Sequence, residues 1–234
     1  MDYQKIKLYH YPATRSARVK WALHETVGDD FEVEIVPLYE GAQYDGNYLQ
    51  KNPNHNVPTL EITFTDGSIM YMAESGAMVA MLADAFPDRQ LAPPANELSN
   101  ARADYLQILH FGASWMDMML WQIRIHEHVL PTPERDAPTI ARYRSKFIAE
   151  VEPQLVARLE KTKHICGDEF SAADCIIGHN VTWARAYNLC QNAIFGGYLS
   201  RLSKRPAFIS AFADVDQFQL AVPEGKSLVT KFTG

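Results

Sequence analysis

The stretch that decides the fold is Asn52-Pro53-Asn54-His55-Asn56-Val57-Pro58-Thr59-Leu60, in which a Val-Pro step leads directly into a strand-like run. An X-Pro bond costs only about 0.5–1 kcal/mol in the cis form, so a cis peptide is tolerated at this position. A cis proline there turns the backbone of the preceding residue outward and leaves its N–H and C=O free to pair with an extended peptide ligand. Taken alone, the segment also fits a plain loop entering an edge strand.

A β-hairpin pattern follows this segment. Residues 59–64 alternate in polarity, Asp66-Gly67 supplies a turn, and residues 68–72 form a second strand-like run. Residues 74–85 then carry a helical pattern of apolar positions. The expected order is therefore strand, strand, helix.

A strand-helix-strand pattern precedes it. Residues 6–11 are rich in β-forming side chains and stop at Pro12, residues 16–25 carry an apolar helical stripe, and residues 31–36 alternate apolar and charged side chains. This order and spacing imply a parallel strand pair with a right-handed crossover. The sequence thus predicts a compact α/β domain over residues 1–86.

Strand signals nearly vanish in the rest of the chain. Residues 87–95 are rich in proline and polar side chains, which is typical of a linker. Residues 96–234 are predicted to form an all-helical bundle domain, so that the fold class is α/β followed by all-α. The helical stripes cover about 96–128, 138–163, 172–188, 196–202 and 207–216.

Composition excludes several classes of function. The net charge of −6 argues against nucleic acid as the main partner, because phosphate neutralisation needs a basic surface. The three cysteines are an odd number without CxxC or metal-like spacing, which favours a reducing compartment and disfavours a disulfide scaffold. No stretch resembles a signal peptide or a membrane span, so we expect a soluble, cytoplasmic protein without a membrane partner or a metal.

A second segment with chemical potential is Met72-Ala73-Glu74-Ser75-Gly76-Ala77-Met78, at a strand-to-helix junction. It places a carboxylate and a hydroxyl beside the free N–H groups and the positive end of a helix. This combination suits an α-amino acid head group, whose carboxylate meets the N–H and hydroxyl groups and whose ammonium faces Glu74. Plain helix capping by Glu74 or Ser75 is the alternative interpretation.

A third segment, Gly167-Asp168-Glu169-Phe170-Ser171-Ala172-Ala173-Asp174, lies in the helical half. Ser171 and Asp174 stand three residues apart before an apolar helix, which is a variant of the capping box. We expect this segment to serve folding and not chemistry.

These three segments, in this order and with this domain layout, resemble the glutathione S-transferase superfamily across essentially the whole chain. The resemblance implies a thioredoxin-like glutathione-binding domain, a helical domain that supplies a hydrophobic second-substrate site, and a homodimer. Two features depart from the family pattern: Asn56 stands where many relatives carry glutamine, and His55 places a titratable ring beside it. The residues to which the resemblance assigns glutathione binding are His55, Asn56, Val57, Pro58, Glu74, Ser75 and Arg18.

The reaction of this family needs the glutathione thiolate, because the thiolate is the nucleophile. A free thiol has a pKa of about 8.5, so a hydrogen-bond donor and a helix N-terminus must stabilise the anion. The loop after the first strand has three candidate donors. When positions are counted back from Arg18, the catalytic serine of several classes of the family corresponds to Thr14 or to Ala13, which has no donor group. Ser16 is the second candidate and could also be the helix N-cap. Tyr11 would make the protein a tyrosine-type enzyme of the family.

Other residues of the loop refine this hypothesis. Arg15 could supply positive charge to the sulfur, whereas Arg18 also fits a structural ion pair. The loop contains no cysteine, which weighs against variants of the family that form mixed disulfides with glutathione. Tyr11 could equally be an ordinary core aromatic, and Thr14 could be an ordinary loop residue. We therefore predict that the loop as a whole holds the thiolate, without choosing one donor.

The second-substrate site is expected on the first helix of the helical domain. Phe111, Trp115 and Met119 belong to a stretch dense in aromatics and methionine, which suits varied apolar electrophiles. A core stripe is the competing interpretation. The tail from Leu220 to Gly234 is long enough to fold over the cleft.

Three functions remain open on the sequence. The first is conjugation of the glutathione thiolate to hydrophobic electrophiles. The second keeps the glutathione site but performs another thiolate reaction, such as peroxide reduction, disulfide reduction, isomerisation or ether cleavage. The third is a non-catalytic binding or regulatory role.

Overall fold

The computed structural model describes residues 3–218 and residue 222. The predicted tail of 220–234 therefore lies outside the described residues, apart from residue 222. The first half of the chain alternates strands and helices. Its elements are β1 (Tyr3–His10), α1 (Ser16–Thr26), β2 (Glu32–Ile35), α2 (Gly46–Leu49), β3 (Thr59–Phe64), β4 (Ile69–Met72) and α3 (Ser75–Ala85).

The four strands form one mixed sheet in the order β2-β1-β3-β4. Strand β2 pairs with β1 in parallel, as the crossover through α1 requires, whereas β3 pairs antiparallel with both β1 and β4. Leu8 and Leu60 face each other across the central pair and are fully buried. The α/β prediction is confirmed, and the arrangement is thioredoxin-like.

The segment between β2 and β3 contains short helical elements that the sequence analysis did not predict. Two 3₁₀ turns, Leu38–Glu40 and Ala42–Tyr44, precede the single turn of α2. Asp45 caps α2, because its carboxylate accepts a hydrogen bond of 2.8 Å from the backbone N–H of Asn47. Helical turns this short contain too few residues to show a periodic spacing of apolar side chains in the sequence.

The second half of the chain is helical, as expected. The described residues beyond β4 contain no further strand, only an isolated bridge between His164 and Gly167. The helices are α4 (Asn100–His110), α5 (Asp117–Arg124), α6 (Ala137–Lys146), α7 (Glu152–Leu159), α8 (Ala172–Ala186), α9 (Ala193–Leu202) and α10 (Pro206–Ala211).

Three π-helical turns, Phe111–Met116, Ile125–Val129 and Phe147–Val151, interrupt the two long stripes expected over 96–128 and 138–163. The last of them leads into Pro153, which lacks an N–H and whose ring crowds the carbonyl four residues earlier. The physical reason for that interruption is therefore visible in the sequence.

The predicted capping box at the start of α8 is confirmed. The Asp174 carboxylate accepts a hydrogen bond of 2.8 Å from the backbone N–H of Ser171, and the Ser171 side chain caps the N–H of Asp174 in return. Asp174 is fully buried and also accepts from the Tyr198 hydroxyl at 2.7 Å. The segment thus ties α8 to α9.

One hydrophobic core runs through both halves. Trp21 on α1 is fully buried, and its ring packs against Phe170, Phe208 and Phe212 of the helical half at 5.0–6.2 Å between centroids. Helix α1 therefore joins the sheet to the helices. No helix in the described part of the chain combines the length and the apolar content needed to cross a bilayer.

Candidate functional site

Three loops meet at one edge of the sheet. The strand pairings run to Tyr9 opposite Thr59 and to Leu60 opposite Met72, so the end of β1, the start of β3 and the end of β4 lie at the same edge. Each of these loops contains a non-glycine residue with a positive φ: Ala13 (53°), His55 (44°) and Glu74 (70°). Such conformations are unfavourable for side chains with a Cβ and concentrate at functional sites.

The first loop holds all three predicted thiolate donors. The hydroxyl of Thr14 lies 2.8 Å from the Tyr11 carbonyl oxygen and 2.8 Å from Ser16 Oγ. Thr14 is half-buried, whereas Ser16 is fully buried behind it. Thr14 is therefore the better placed of the two hydroxyls to reach a ligand.

Ser16 is the first helical residue of α1 and not the N-cap that the sequence suggested; Arg15 takes the cap position without a side-chain hydrogen bond. The Ser16 hydroxyl instead lies 2.7 Å from Nδ1 of His10 and accepts from the backbone N–H of Tyr11 at 3.1 Å. The serine therefore belongs to a buried network and does not cap the helix, whose first two N–H groups, those of Ser16 and Ala17, donate to Thr14 instead.

Tyr11 packs edge-on against Tyr39, with ring centroids 5.6 Å apart. Burial, together with Tyr39 and the charge of Glu40, raises the pKa of the Tyr11 hydroxyl above its ordinary value, against the opposing charge of Arg124. The phenol is therefore protonated at neutral pH and able to donate.

The second loop contains the Val57–Pro58 bond, which takes the cis form that the sequence allows. The buried Asn52 holds this loop, since its Nδ2 donates to the Asn56 carbonyl at 2.9 Å, and the Tyr48 hydroxyl donates to the same oxygen at 2.6 Å. Val57 and Pro58 are buried, while the side chains of His55 and Asn56 are exposed. His55 packs against the ring of Tyr44 at 4.9 Å between centroids.

The third loop places Glu74 at the N-cap position of α3 and Ser75 at its first residue. The exposed Glu74 carboxylate makes no capping hydrogen bond, so it does not satisfy the helix end itself. An exposed carboxylate beside the N-terminal N–H groups of a helix is the arrangement expected for an amino acid head group.

Arg18 lies away from the exposed loops. It is fully buried, and its Nη2 donates hydrogen bonds of 2.9 Å to both carboxylate oxygens of Asp117 on α5. Arg15 lies at the outer side of the same carboxylate, at 4.0 Å, with its guanidinium 5.3 Å from the Trp121 ring centre. Asp117 therefore fixes the start of α1 to the helical half.

The helical half also supports the first loop through His179 on α8. Burial and the charge of Arg18 lower the pKa of His179 to about 3, although its contacts with Asn180 and the Ala13 backbone act in the opposite direction. A neutral imidazole thus lies beside the left-handed Ala13 at the turn of the loop.

A further buried group lies behind Ser16. Nε2 of His10 is 3.1 Å from Oδ2 of Asp214, and the Lys20 ammonium is 2.7 Å from the same oxygen. Burial lowers the pKa of His10, against the raising effect of Asp214. Burial also opposes ionisation of Asp214, but the hydrogen bonds from His10 and Lys20 prevail and lower its pKa to about 2.

The three residues predicted to bind a second substrate take different positions. Met119 is fully buried in the core, Phe111 is half-buried in a π turn, and Trp115 is 39% exposed with the Lys146 ammonium 5.0 Å above its ring. Arg124, which the sequence analysis did not consider, lies on the same helical stretch, 5.0 Å from the Phe218 ring centre.

The sequence analysis missed His10, Asp117 and Asp214. Asp117 had a recognisable signal, since it is an acidic residue inside a dense aromatic and methionine stretch. His10 ends a strand that also contains two lysines, and Asp214 lies in a polar segment, so neither has a sequence pattern that marks it. Among the described residues, no group of three or more His, Cys, Asp or Glu side chains could hold a metal ion.

Comparison with known proteins agrees with this geometry. Residues 4–84 match the family "Glutathione S-transferase, N-terminal domain". The glutathione S-transferase GstA of Escherichia coli O157:H7 is 28% identical, over 86% of this chain and 94% of that protein.

Solved structures show the same likeness. A glutathione transferase from Methylococcus capsulatus is 26% identical with a TM-score of 0.71, covering 91% of this chain and 100% of that one. A sphingomonad glutathione S-transferase in complex with glutathione is 24% identical with a TM-score of 0.74 and the same coverage. From the N-terminal domain match, the relatives and the shared fold, we conclude that residues 4–84 form a glutathione S-transferase N-terminal domain and that the chain as a whole is similar to glutathione S-transferases.

Proposed function

We propose that this protein is a glutathione transferase, which ionises the thiol of glutathione at the three-loop edge of the sheet and adds the thiolate to a hydrophobic electrophile. The observation that carries the proposal is the half-buried hydroxyl of Thr14, which lies two residues before α1 in the loop that faces this edge. The complex of the sphingomonad relative with glutathione supports the choice of ligand.

Glutathione is an extended tripeptide, and the three loops offer matching groups. The exposed Glu74 carboxylate and Ser75 at the N-terminus of α3 suit the ammonium and carboxylate of the γ-glutamyl end. Val57 and Pro58 would align the backbone of the cysteinyl residue, with the exposed Asn56 and His55 beside the glycyl end. Arg18, which is fully buried, would support this site through Asp117 without touching the ligand.

The thiol would then lie at Thr14. A hydroxyl that donates to a thiolate favours the anion, and the N-terminus of α1 adds positive potential. Ser16 is too deeply buried to touch the ligand and would act by holding the Thr14 hydroxyl at 2.8 Å. Tyr11 remains a second protonated donor in the same loop.

We assign residues 1–86 to the glutathione domain, 87–95 to the linker and 96–234 to the domain of the second substrate. Phe111 and Trp115 would contact the electrophile, with Met119 supporting them from the core. We also propose a homodimer with an isologous interface and a cytoplasmic location, the latter in keeping with three free thiols. A monomer in sedimentation at micromolar concentration would disprove the dimer.

The experiment that tests the function is calorimetric titration of the protein with glutathione, followed by conjugation to a chlorodinitrobenzene. Saturable binding with turnover is the expected result. Binding without turnover would favour another thiolate reaction or a binding role. No binding would mean that the fold has been kept while the glutathione site has been lost.

A further inference from the structure

A chain of buried polar contacts runs inward from the predicted thiol position. It passes from Thr14 Oγ1 to Ser16 Oγ (2.8 Å), from Ser16 Oγ to His10 Nδ1 (2.7 Å), and from His10 Nε2 to Asp214 Oδ2 (3.1 Å). His10 and Ser16 are fully buried, and Thr14 alone of the first three is half-exposed. The chain thus has one end at the ligand side and the other at a carboxylate.

The chemistry of the inner end fixes the direction of the hydrogen bonds. An ionised carboxylate only accepts, so Nε2 of His10 carries the hydrogen that faces Asp214. Nδ1 of the neutral ring is then an acceptor, and the Ser16 hydroxyl donates to it. The Tyr11 carbonyl oxygen, 3.0 Å from Ser16 Oγ and 2.8 Å from Thr14 Oγ1, is the competing acceptor for both hydroxyls.

The surroundings of the His10 ring act on its charge in opposite directions. Asp214 faces His10 with one oxygen, and its other oxygen, Oδ1, is buried without a hydrogen-bond partner in the described part of the chain. Lys20, the other charged group that acts on His10, opposes a positive ring, while Asp214 favours one. In the resting protein the ring is neutral, because burial disfavours the imidazolium.

We propose that His10 is the acceptor of the glutathione thiol proton, which it takes through Thr14 and Ser16. The inference rests on the proposed function, since it assumes a thiol at Thr14. The S–H proton passes to Thr14 Oγ1, the Thr14 proton to Ser16 Oγ, and the Ser16 proton to His10 Nδ1. The products are a thiolate and an imidazolium whose charge Asp214 offsets, and the same path returns the proton after the thiolate has reacted. His10 is therefore a positioning and relay residue that never touches glutathione.

The test is His10→Asn, in which the amide oxygen replaces Nδ1 as an acceptor for Ser16 but cannot take up a proton. Ionisation of bound glutathione is followed by the ultraviolet absorbance of the thiolate against pH, and affinity is measured for S-methylglutathione, which has no thiol proton. We expect the ionisation midpoint to rise by about one pH unit or more, with the affinity for S-methylglutathione changed less than about twofold. Ser16→Ala, which interrupts the chain but keeps His10 and Asp214, should give the same result if His10→Asn does not fold.

The matched control is His24→Asn. His24 is also a partly buried histidine beside an aspartate, since its Nδ1 is 3.0 Å from Asp29, but it lies at the far end of α1. This variant should leave the midpoint unchanged. An unchanged midpoint in His10→Asn or Ser16→Ala would overturn the relay, and so would a parallel loss of affinity for S-methylglutathione, because the network would then only shape the loop. If the unmodified protein binds neither ligand, the proposed function fails instead.

Discussion

Nη2 of Arg18 on α1 donates to both carboxylate oxygens of Asp117, which lies 99 residues further along the chain, and both side chains are buried. Nε and Nη1 of Arg18 are buried without hydrogen-bond partners among the described residues. The Asp117 carboxylate is therefore the main compensation for a buried positive charge. This pair connects the loop that carries Thr14 to the helical half.

Removing one member of this pair should be far more costly than removing both. Asp117→Ala leaves the guanidinium uncompensated, and we expect the free energy of unfolding in urea to fall by about 3–5 kcal/mol. The double variant Arg18→Met with Asp117→Leu should recover a large part of the loss. Glu32→Gln, which breaks the exposed pair with Lys5, is the control and should leave the free energy of unfolding nearly unchanged. Equal losses for Asp117→Ala and Glu32→Gln would contradict this account.

Thr14 offers a direct test of the thiolate donor. Thr14→Ala should lower kcat/KM for conjugation by about 10- to 100-fold, because a hydrogen bond to a charged group contributes roughly 1.5–3 kcal/mol. Thr14→Ser keeps the hydroxyl and is expected to retain most of the activity. Initial rates with a chlorodinitrobenzene give the comparison. If Thr14→Ala is as active as Thr14→Ser, the donor is another group, and Tyr11→Phe is the next variant to measure.

The sequence predicted those features that depend on neighbours along the chain. The strand and helix patterns of the first half, the tolerance of a cis bond at Val57–Pro58 and the capping box of Ser171 and Asp174 all arise within a few residues. Local spacing carries such signals because side-chain periodicity and backbone capping act over one or two turns.

The sequence could not predict the pairs that complete the candidate site. Arg18 meets Asp117 over 99 residues, and His10 meets Asp214 over 204 residues, so no period or motif links them. The π turn at Phe111–Met116 was also missed, because one extra residue in a turn hardly disturbs an apolar helical stripe. The sequence also does not show which of the two hydroxyls is accessible, and in the structure Ser16 is fully buried behind Thr14.

Gly76, in the first turn of α3, should be intolerant of a side chain. A Cβ at this position would lie 2.7 Å from the Cβ of Ala113, which cannot turn away by rotating its side chain. We expect Gly76→Ala to lower the free energy of unfolding by about 1–3 kcal/mol. Gly196, in α9, has nothing within 4 Å of its ideal Cβ, so Gly196→Ala should be neutral or stabilise by up to about 1 kcal/mol. Urea denaturation of both variants decides the matter, and a stable Gly76→Ala would show that α3 can move away from Ala113.

Asp214 should make stability depend on pH in the acidic range. Its pKa is lowered from the ordinary 3.8 to about 2 in the folded protein by the hydrogen bonds from His10 and Lys20. A carboxyl group with a lowered folded-state pKa stabilises the protein above its unfolded-state pKa, and this contribution disappears as the pH falls from about 4 to about 2. The shift corresponds to roughly 2 kcal/mol. Asp214→Asn should therefore be less stable than the unmodified protein at pH 5, and the difference should narrow steadily toward pH 2 in urea denaturation. A difference that stays constant over this range would show that the ionised carboxylate contributes nothing and that the amide loses only packing.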